Sequence, residues 1–256
     1  MKNLMIHIIC GFIPGRNRRN RIRMRLKHHK KMKQMVNFAK SFSNNKHPKI
    51  KTSIGFGCKN FVVIVDKNMV FKFPFKTNGK DIAIREQRIT NALRPISSID
   101  IPETDIIYWN NMAIRKYKFI QGISLESLSK KAKLQNIDII TKQLAKFLYE
   151  ISSADPKEIR DLKRNPDDKP SFMYGWCQND LWYNFIMDEK TLKIKSFIDW
   201  EDADFCDFHN CFQQEYIKSL KNKKVHNICL RDALLHKYIE IYMNNAKNRT
   251  KYNLAN

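Results

Sequence analysis

Three side chains with complementary oxygen chemistry occur in one short stretch of the chain. Asp180 and Asn184 share a loop bounded by apolar residues, and Asp199 follows downstream. Phosphoryl transfer needs a carboxylate that orients and deprotonates an acceptor hydroxyl, and an amide oxygen plus a second carboxylate that hold Mg²⁺ on the phosphates. The stretch therefore contains the residue types that this chemistry requires.

A hairpin is expected to bring the last of these residues back to the loop. Segments 184–187 and 193–198 have strand composition and flank a turn at 188–191. Because the two arms of a hairpin run side by side, Asp199 should end close to the loop that holds Asp180.

A second group of chemistry-bearing residues lies nearer the N-terminus. Gly55 and Gly57 mark a tight turn, and strands are predicted at 61–65 and 69–73, the second of which carries Lys72. The helical segment 81–93 places Glu86 near its middle. A carboxylate there can reach the lysine on the neighbouring strand and hold it against the phosphates of a nucleotide.

The remaining pattern predicts an α+β protein. Strands are expected at 105–109 and 112–117, Gly122 leaves the sheet, and the apolar face of helix 137–151 should be core. The chain of 256 residues is 43% apolar, and it has no repeat and no apolar run near the ~20 residues that span a bilayer. These features exclude a solenoid, a coiled coil and an integral membrane protein. The six cysteines form no C-x-x-C pair, as expected for reduced thiols in a cytoplasm.

At these motifs, over roughly residues 51–210, the chain resembles the aminoglycoside phosphotransferase and choline kinase families. The segments CQND and IDWE carry the most specific likeness. The resemblance implies the bilobal protein-kinase-like fold: an N-lobe with a small antiparallel β-sheet and one helix, and a mainly helical C-lobe. It also implies ATP and Mg²⁺ as cofactors.

The resemblance further implies a role for each motif residue. Asp180 corresponds to the catalytic base, and Asn184 and Asp199 correspond to the metal ligands. The nucleotide-binding positions are those of the phosphate-covering loop, the phosphate-binding lysine and its helix partner: Gly55, Gly57, Lys72 and Glu86.

The sequence departs from the family pattern at two points. Gln178 stands where these families usually keep a structural histidine, and Asn184 follows Asp180 by four residues instead of five. Glutamine can supply similar hydrogen bonds, whereas the shorter loop either adapts or displaces the asparagine. A catalytically degenerate kinase-like binding or scaffold protein is therefore the alternative to an active enzyme.

The N-terminal segment is strongly basic. The net charge is +23, and residues 1–50 hold fourteen Lys and Arg but no Asp or Glu. An apolar stretch at 4–13 precedes a predicted basic amphipathic helix over 18–42. This combination favours an anionic membrane surface over nucleic acid, because the segment has no interleaved aromatics for base stacking. A solvated tail or a helix packed on the body remains the other possibility.

The expected organisation is an arm at 1–50, a β-rich nucleotide-binding lobe at 51–121 and a helical lobe at 122–256. The segment ICGFIP followed by spaced arginines resembles short N-terminal pieces of some bacterial cell-envelope polysaccharide enzymes. The expected function is a cytoplasmic small-molecule kinase, peripheral on the inner face of the membrane. Its acceptor would be a small molecule or saccharide of surface glycan, lipopolysaccharide or phosphocholine-type metabolism. An aminoglycoside-type antibiotic phosphotransferase is a second alternative.

Overall fold

The computed structural model describes residues 15–55, 58–75, 78–163, 173–181, 184–207 and 225–254. By contacts within the chain it divides into two compact units. Unit 1 comprises Met1–Gln87 and Glu103–Phe119, and unit 2 comprises Arg88–Pro102 and Ile120–Asn256. Among the helices of the described ranges, none combines the length and apolarity needed to cross a bilayer.

Unit 1 is built on an antiparallel five-stranded sheet with the order β1-β2-β3-β5-β4. The strands are β1 Ile50–Ile54, β2 Asn60–Val65, β3 Met69–Pro74, β4 Asp105–Trp109 and β5 Met112–Lys118. Four of them match the predicted strands to within a residue, while β1 was not predicted. The helices described in this part of the chain are α1 Arg16–Lys40 and α2 Gly79–Leu93.

Helix α1 covers one face of this sheet. Strand residues alternate between faces, so Phe61 and Val63 of β2 share a face with their partners Phe73 and Phe71 of β3. Met35 and Ala39 of α1 are fully buried in the same apolar cluster.

The helix that the sequence placed in a separate arm thus belongs to unit 1. Aromatic side chains extend the packing: Phe38 of α1 stacks on Trp109 of β4 at 4.9 Å, and Phe42, just after the helix, lies 5.2 Å from Phe71. The physical reason is the sheet itself, which is apolar on the face that α1 covers and would otherwise expose it to water. The apolar stretch at 4–13 lies outside the described residues.

Unit 2 combines helices with short strands. The helices are α3 Lys130–Gln135, α4 Ile137–Ser152 and α5 Val225–Leu254, and α4 packs along α5. The strands are β6 Ile123–Ser124, β7 Tyr174–Cys177, β8 Phe185–Met187, β9 Ile194–Phe197 and β10 Asp204–Asp207. Strands β6, β8 and β9 form one small sheet, and β7 pairs with β10.

The core of unit 2 lies where α4 meets the predicted hairpin. Phe147 of α4 stacks flat on Phe197 of β9 at 4.5 Å. Trp200 is 1% exposed and lies edge-on to both rings. This aromatic cluster supports the turn that follows β9, which is where Asp199 lies. The α+β class predicted from the sequence is confirmed.

Candidate active site

Lys72 is buried in the middle of the sheet of unit 1. It lies on β3 between Phe71 and Phe73 and therefore points to the face opposite α1. The residue is 2% exposed. Because a buried ammonium group is costly without an anion nearby, the neighbours of Lys72 decide whether this position is tolerated.

Glu86 of α2 supplies that anion. Its carboxylate is 4% exposed, and its Oε1 lies 3.9 Å from Lys72 Nζ. The ion pair that the sequence predicts is therefore present, and its role in binding phosphate stays a prediction. Removing one partner of such a buried pair typically costs about 3–5 kcal/mol.

A third charged residue, Arg115 of β5, completes the cluster and was missed by the sequence analysis. It is 1% exposed, and its Nη1 donates a hydrogen bond to Glu86 Oε2. Its Nη2 donates to Asn60 Oδ1 at 2.6 Å. The available signal was that Arg115 directly follows the apolar run Met112–Ile114 in the predicted strand, all of which is buried together with it.

The glycine turn is only partly within the described residues. Gly55 follows β1, and its N–H donates to the carbonyl of Asn60, 3.2 Å away, where β2 begins. Gly57 lies outside the described residues, so its predicted role stays a prediction.

In unit 2, Gln178 ties together the two segments that carry the predicted catalytic and metal-binding residues. Its side chain is fully buried. Its Oε1 accepts a hydrogen bond from the N–H of Asp180 at 2.8 Å, and its Nε2 donates to the carbonyl of Asp199 at 2.6 Å. Gln178 thus makes one hydrogen bond to each of the two segments.

Each of the two segments that Gln178 connects contains a residue in a left-handed backbone conformation. Asn179 has φ 65° and Asp199 has φ 63°. Asn and Asp tolerate this region better than other side-chain-bearing residues, and such conformations cluster at functional sites. Gly175 starts this arrangement, because a Cβ there would collide with the backbone of Ser152 on α4. Strand β7 can therefore lie directly against α4 and lead into the loop.

Asn184 stays next to the Asp199 turn although its loop is one residue short. Its carbonyl accepts a hydrogen bond from the N–H of Ile198 at 2.7 Å, directly before Asp199. Its side-chain Nδ2 donates to the carbonyl of Asp180 at 3.0 Å and so closes the loop. Asp180, Asn184 and Asp199 are therefore linked by hydrogen bonds within unit 2. The intervening Trp182 and Tyr183 lie outside the described residues.

Trp200 is a core residue. It is almost fully buried, and its Nε1 donates to the carbonyl of Phe197 at 3.0 Å. Its position after Asp199 therefore stabilises the turn from within, and its ring is not a wall for a bound acceptor.

Comparison with solved structures identifies the fold. An ADP-bound aminoglycoside phosphotransferase, APH(2″)-Ib, superposes with a TM-score of 0.56 at 15% identity over 86% of this chain and 87% of its own. The GDP complex of aminoglycoside 2′-phosphotransferase-IIIa gives 0.54 at 14% identity, over 84% and 99%. The apoenzyme of macrolide 2′-phosphotransferase MphH from Brachybacterium faecium gives 0.51 at 12% identity, over 82% and 83%.

The chain has the protein-kinase-like fold of these phosphotransferases. The fold that the sequence motifs imply is thereby confirmed. Comparison with protein-family models gave no match, and comparison with curated protein sequences gave none either. Of these three comparisons, only the one based on three-dimensional structure gave matches.

The Gln178 tie predicts a measurable loss of stability on substitution. Gln178→Leu keeps a similar volume but leaves the N–H of Asp180 and the carbonyl of Asp199 without these bonds. Each buried polar group that loses its partner costs about 1–3 kcal/mol, so the loss of two should lower the free energy of unfolding by about 2–6 kcal/mol. Urea denaturation measures this change.

Gln34→Leu is the matched control, because Gln34 is exposed on α1. It should change the free energy of unfolding by no more than about 0.5 kcal/mol. Equal stability of Gln178→Leu and the wild type would contradict the structural role of Gln178.

Proposed function

We propose that the protein is an ATP-dependent phosphotransferase that phosphorylates a hydroxyl group of a small molecule or saccharide. The observation that carries the proposal is the hydrogen bond between Asn184 and Ile198, which keeps the predicted metal ligands Asn184 and Asp199 together despite the shortened loop. The kinase-like fold and the buried Lys72–Glu86 pair support it.

Each predicted residue has a role that its surroundings suit. Lys72, held by Glu86, binds the phosphates of the donor as a positioned point charge. Asp180, whose N–H is fixed by Gln178, orients the acceptor hydroxyl and accepts its proton. The hydroxyl oxygen attacks the γ-phosphorus, the bond from that phosphorus to the β–γ bridging oxygen breaks, and ADP leaves.

The proposed metal ligands offer hard oxygen atoms, which is the chemistry that Mg²⁺ prefers. Asn184 uses its Nδ2 as a donor to the carbonyl of Asp180, so its Oδ1 is the atom that acts as a ligand. The backbone of Asp199 is fixed through its carbonyl by Gln178. Bound Mg²⁺ supplies neutralisation of the phosphate charge.

ATP is the proposed donor. Proteins of this fold have been solved with ADP and with GDP. In this proposal the buried Lys72–Glu86 pair binds phosphates, which adenine and guanine nucleotides share. ATP is the commoner cellular donor and is therefore the first to test.

For the acceptor we propose a saccharide or aminoalcohol used in lipopolysaccharide, another surface glycan or phosphocholine-type metabolism. The aminoglycoside alternative rests on a different observation. Two of the solved structures with this fold are named aminoglycoside phosphotransferases. Polycationic drugs need an acidic pocket, and the segment after Asp199 carries exposed Asp202 and half-buried Glu201 and Asp207.

One aromatic contact bears on a choline-type acceptor. Quaternary ammonium groups bind on the faces of aromatic rings. Phe205, on β10, already has the Lys163 ammonium 3.6 Å from its ring centroid. Lys163 therefore occupies this ring face, so Phe205 does not offer it to a quaternary ammonium group.

We also propose that the protein works at the inner face of an anionic membrane and binds it through α1. Of the eleven Lys and Arg of this helix nine are exposed, and α1 contains no acid. Its first turn carries three arginines and no acid, which the helix dipole opposes, so contact with an anionic surface relieves an unfavourable charge arrangement.

The exposed side of α1 also lies away from the candidate site within unit 1. The helix packs on one face of the sheet, whereas Lys72 points to the other. Docking through α1 therefore leaves the Lys72 side of the sheet uncovered by the membrane.

The first test is a thermal-shift titration with MgATP. At 100 times its dissociation constant a ligand stabilises the native state by about 2.7 kcal/mol, which raises the midpoint by a few degrees. Asp199→Ala should abolish the metal-dependent part of this shift, since it removes a proposed ligand. Asp138→Ala, an exposed aspartate at the start of α4, is the matched control and should keep the full shift.

No shift of the wild type at millimolar MgATP contradicts a nucleotide site. An equal shift with and without Mg²⁺ contradicts the metal assignment of Asp199.

Vesicle co-sedimentation tests the membrane proposal. The full chain should bind phosphatidylglycerol-containing vesicles and not phosphatidylcholine vesicles, and the binding should weaken with added salt. The variant R16Q/R18Q/R25Q/K30Q removes four exposed cations of α1. At roughly 1 kcal/mol per cation it should bind up to about 10³-fold more weakly.

The control variant is K130Q/K131Q/K142Q/K146Q, which removes four exposed lysines from unit 2. Equal loss of binding in this control contradicts a specific role of α1. Displacement of the protein from vesicles by duplex DNA at equal charge concentration would assign α1 to nucleic acid instead.

A further inference from the structure

Arg115 stands out as a buried cation that none of the sequence motifs includes. In the antiparallel pairing of β3 with β5 it lies directly opposite Lys72. Residues directly opposite each other point to the same face, so the guanidinium and the ammonium are neighbours in a water-poor environment. Two such like charges repel each other unless an anion lies between them.

Glu86 meets this requirement, because its two carboxylate oxygens face different cations. Its Oε2 accepts a charge-assisted hydrogen bond from Arg115, while its Oε1 lies 3.9 Å from Lys72. The closer contact belongs to the arginine. Arg115 therefore fixes the orientation of Glu86, and Glu86 in turn limits where the Lys72 ammonium can lie.

The other arm of the guanidinium reaches the base of the glycine turn. Its Nη2 donates to Asn60 Oδ1 at 2.6 Å, and the carbonyl of the same asparagine accepts the N–H of Gly55 at 3.2 Å. Asn60 is 6% exposed and begins β2. One planar side chain thus connects strands β2 and β5 with helix α2.

We propose that Arg115 is a positioning residue that aligns Lys72 with the base of the glycine turn, so that both meet the phosphates of the nucleotide in one fixed arrangement. The bridge formed by Asn60, Arg115 and Glu86 is the structural means. This inference rests on the proposed function only for the identity of the ligand. Lysine cannot replace Arg115, because a compact ammonium lacks the planar fork that reaches two acceptors in different directions.

The test uses Arg115→Lys and Asn60→Ala in the full chain and compares two ligands, MgAMP-PNP and adenosine. Both variants should bind MgAMP-PNP about tenfold more weakly than the wild type does, which is the usual effect of losing a hydrogen bond to a charged group. Adenosine lacks the phosphates, so its affinity should stay within about twofold of the wild-type value. A merely structural defect would weaken both ligands alike and would overturn the proposal.

Two further variants make the comparison specific. Asn60→Asp keeps an oxygen acceptor for Arg115 and should retain MgAMP-PNP affinity within about threefold. Arg94→Lys is the matched control. Its guanidinium Nε donates to the carbonyl of Ile101 in unit 2, and the substitution should leave both affinities unchanged. Weakening of MgAMP-PNP by the control to the same extent would overturn the proposal.

Hydrogen exchange in the unliganded protein separates this inference from the proposed function. If Arg115 holds the turn through Asn60, the amide of Gly55 should exchange at least about tenfold faster in Arg115→Lys and Asn60→Ala than in the wild type. The amides of β4 should be unaffected. Unchanged exchange at Gly55 overturns the bridge whether or not nucleotide binds, whereas absence of MgAMP-PNP binding to the wild type overturns the proposed function.

Discussion

A buried ammonium group in the middle of a β-sheet is the constraint on which unit 1 depends. Lys72 has apolar neighbours along its strand and is itself only 2% exposed. The free energy of such a position is acceptable only with a fixed anion. Helix α2 provides Glu86, and helix α1 seals the opposite face with Met35 and Ala39. Helix α2 thus compensates the buried charge, while α1 covers the apolar face on the other side of the sheet.

In unit 2 a single neutral side chain positions the two aspartates. Gln178 accepts from the backbone of Asp180 and donates to the backbone of Asp199. Gln178 therefore fixes the backbone of both aspartates without using their carboxylates. Asn184 adds a second link, because its carbonyl accepts the N–H of Ile198 and so keeps the end of the loop beside the same turn.

Periodicity in the sequence predicted six of the ten described strands and the helices α1, α2 and α4, because alternation and helical spacing are local properties. The longest described helix, α5, was not predicted. The Lys72–Glu86 pair was also predictable from a strand followed by a helix. Arg115 was not, since its partnership with Lys72 depends on the register between β3 and β5. The pairing of β7 with β10 was missed for the same reason. Helix α1 was predicted, but its packing depends on the apolar face of a distant sheet, and its charge pointed instead to an arm apart from the body.

The central claim is phosphoryl transfer to a hydroxyl group, and the most direct measurement is ADP release from MgATP with a panel of acceptors. The panel contains kanamycin, choline and neutral hexoses and heptoses, with wild-type protein and Asp180→Asn in parallel. We predict acceptor-stimulated ADP release by the wild type and at least a 10²-fold lower rate for Asp180→Asn, the effect typical of losing a general base. ATP binding without acceptor-stimulated release, or equal rates for both proteins, would contradict the account and assign the chain to the non-catalytic members of this fold.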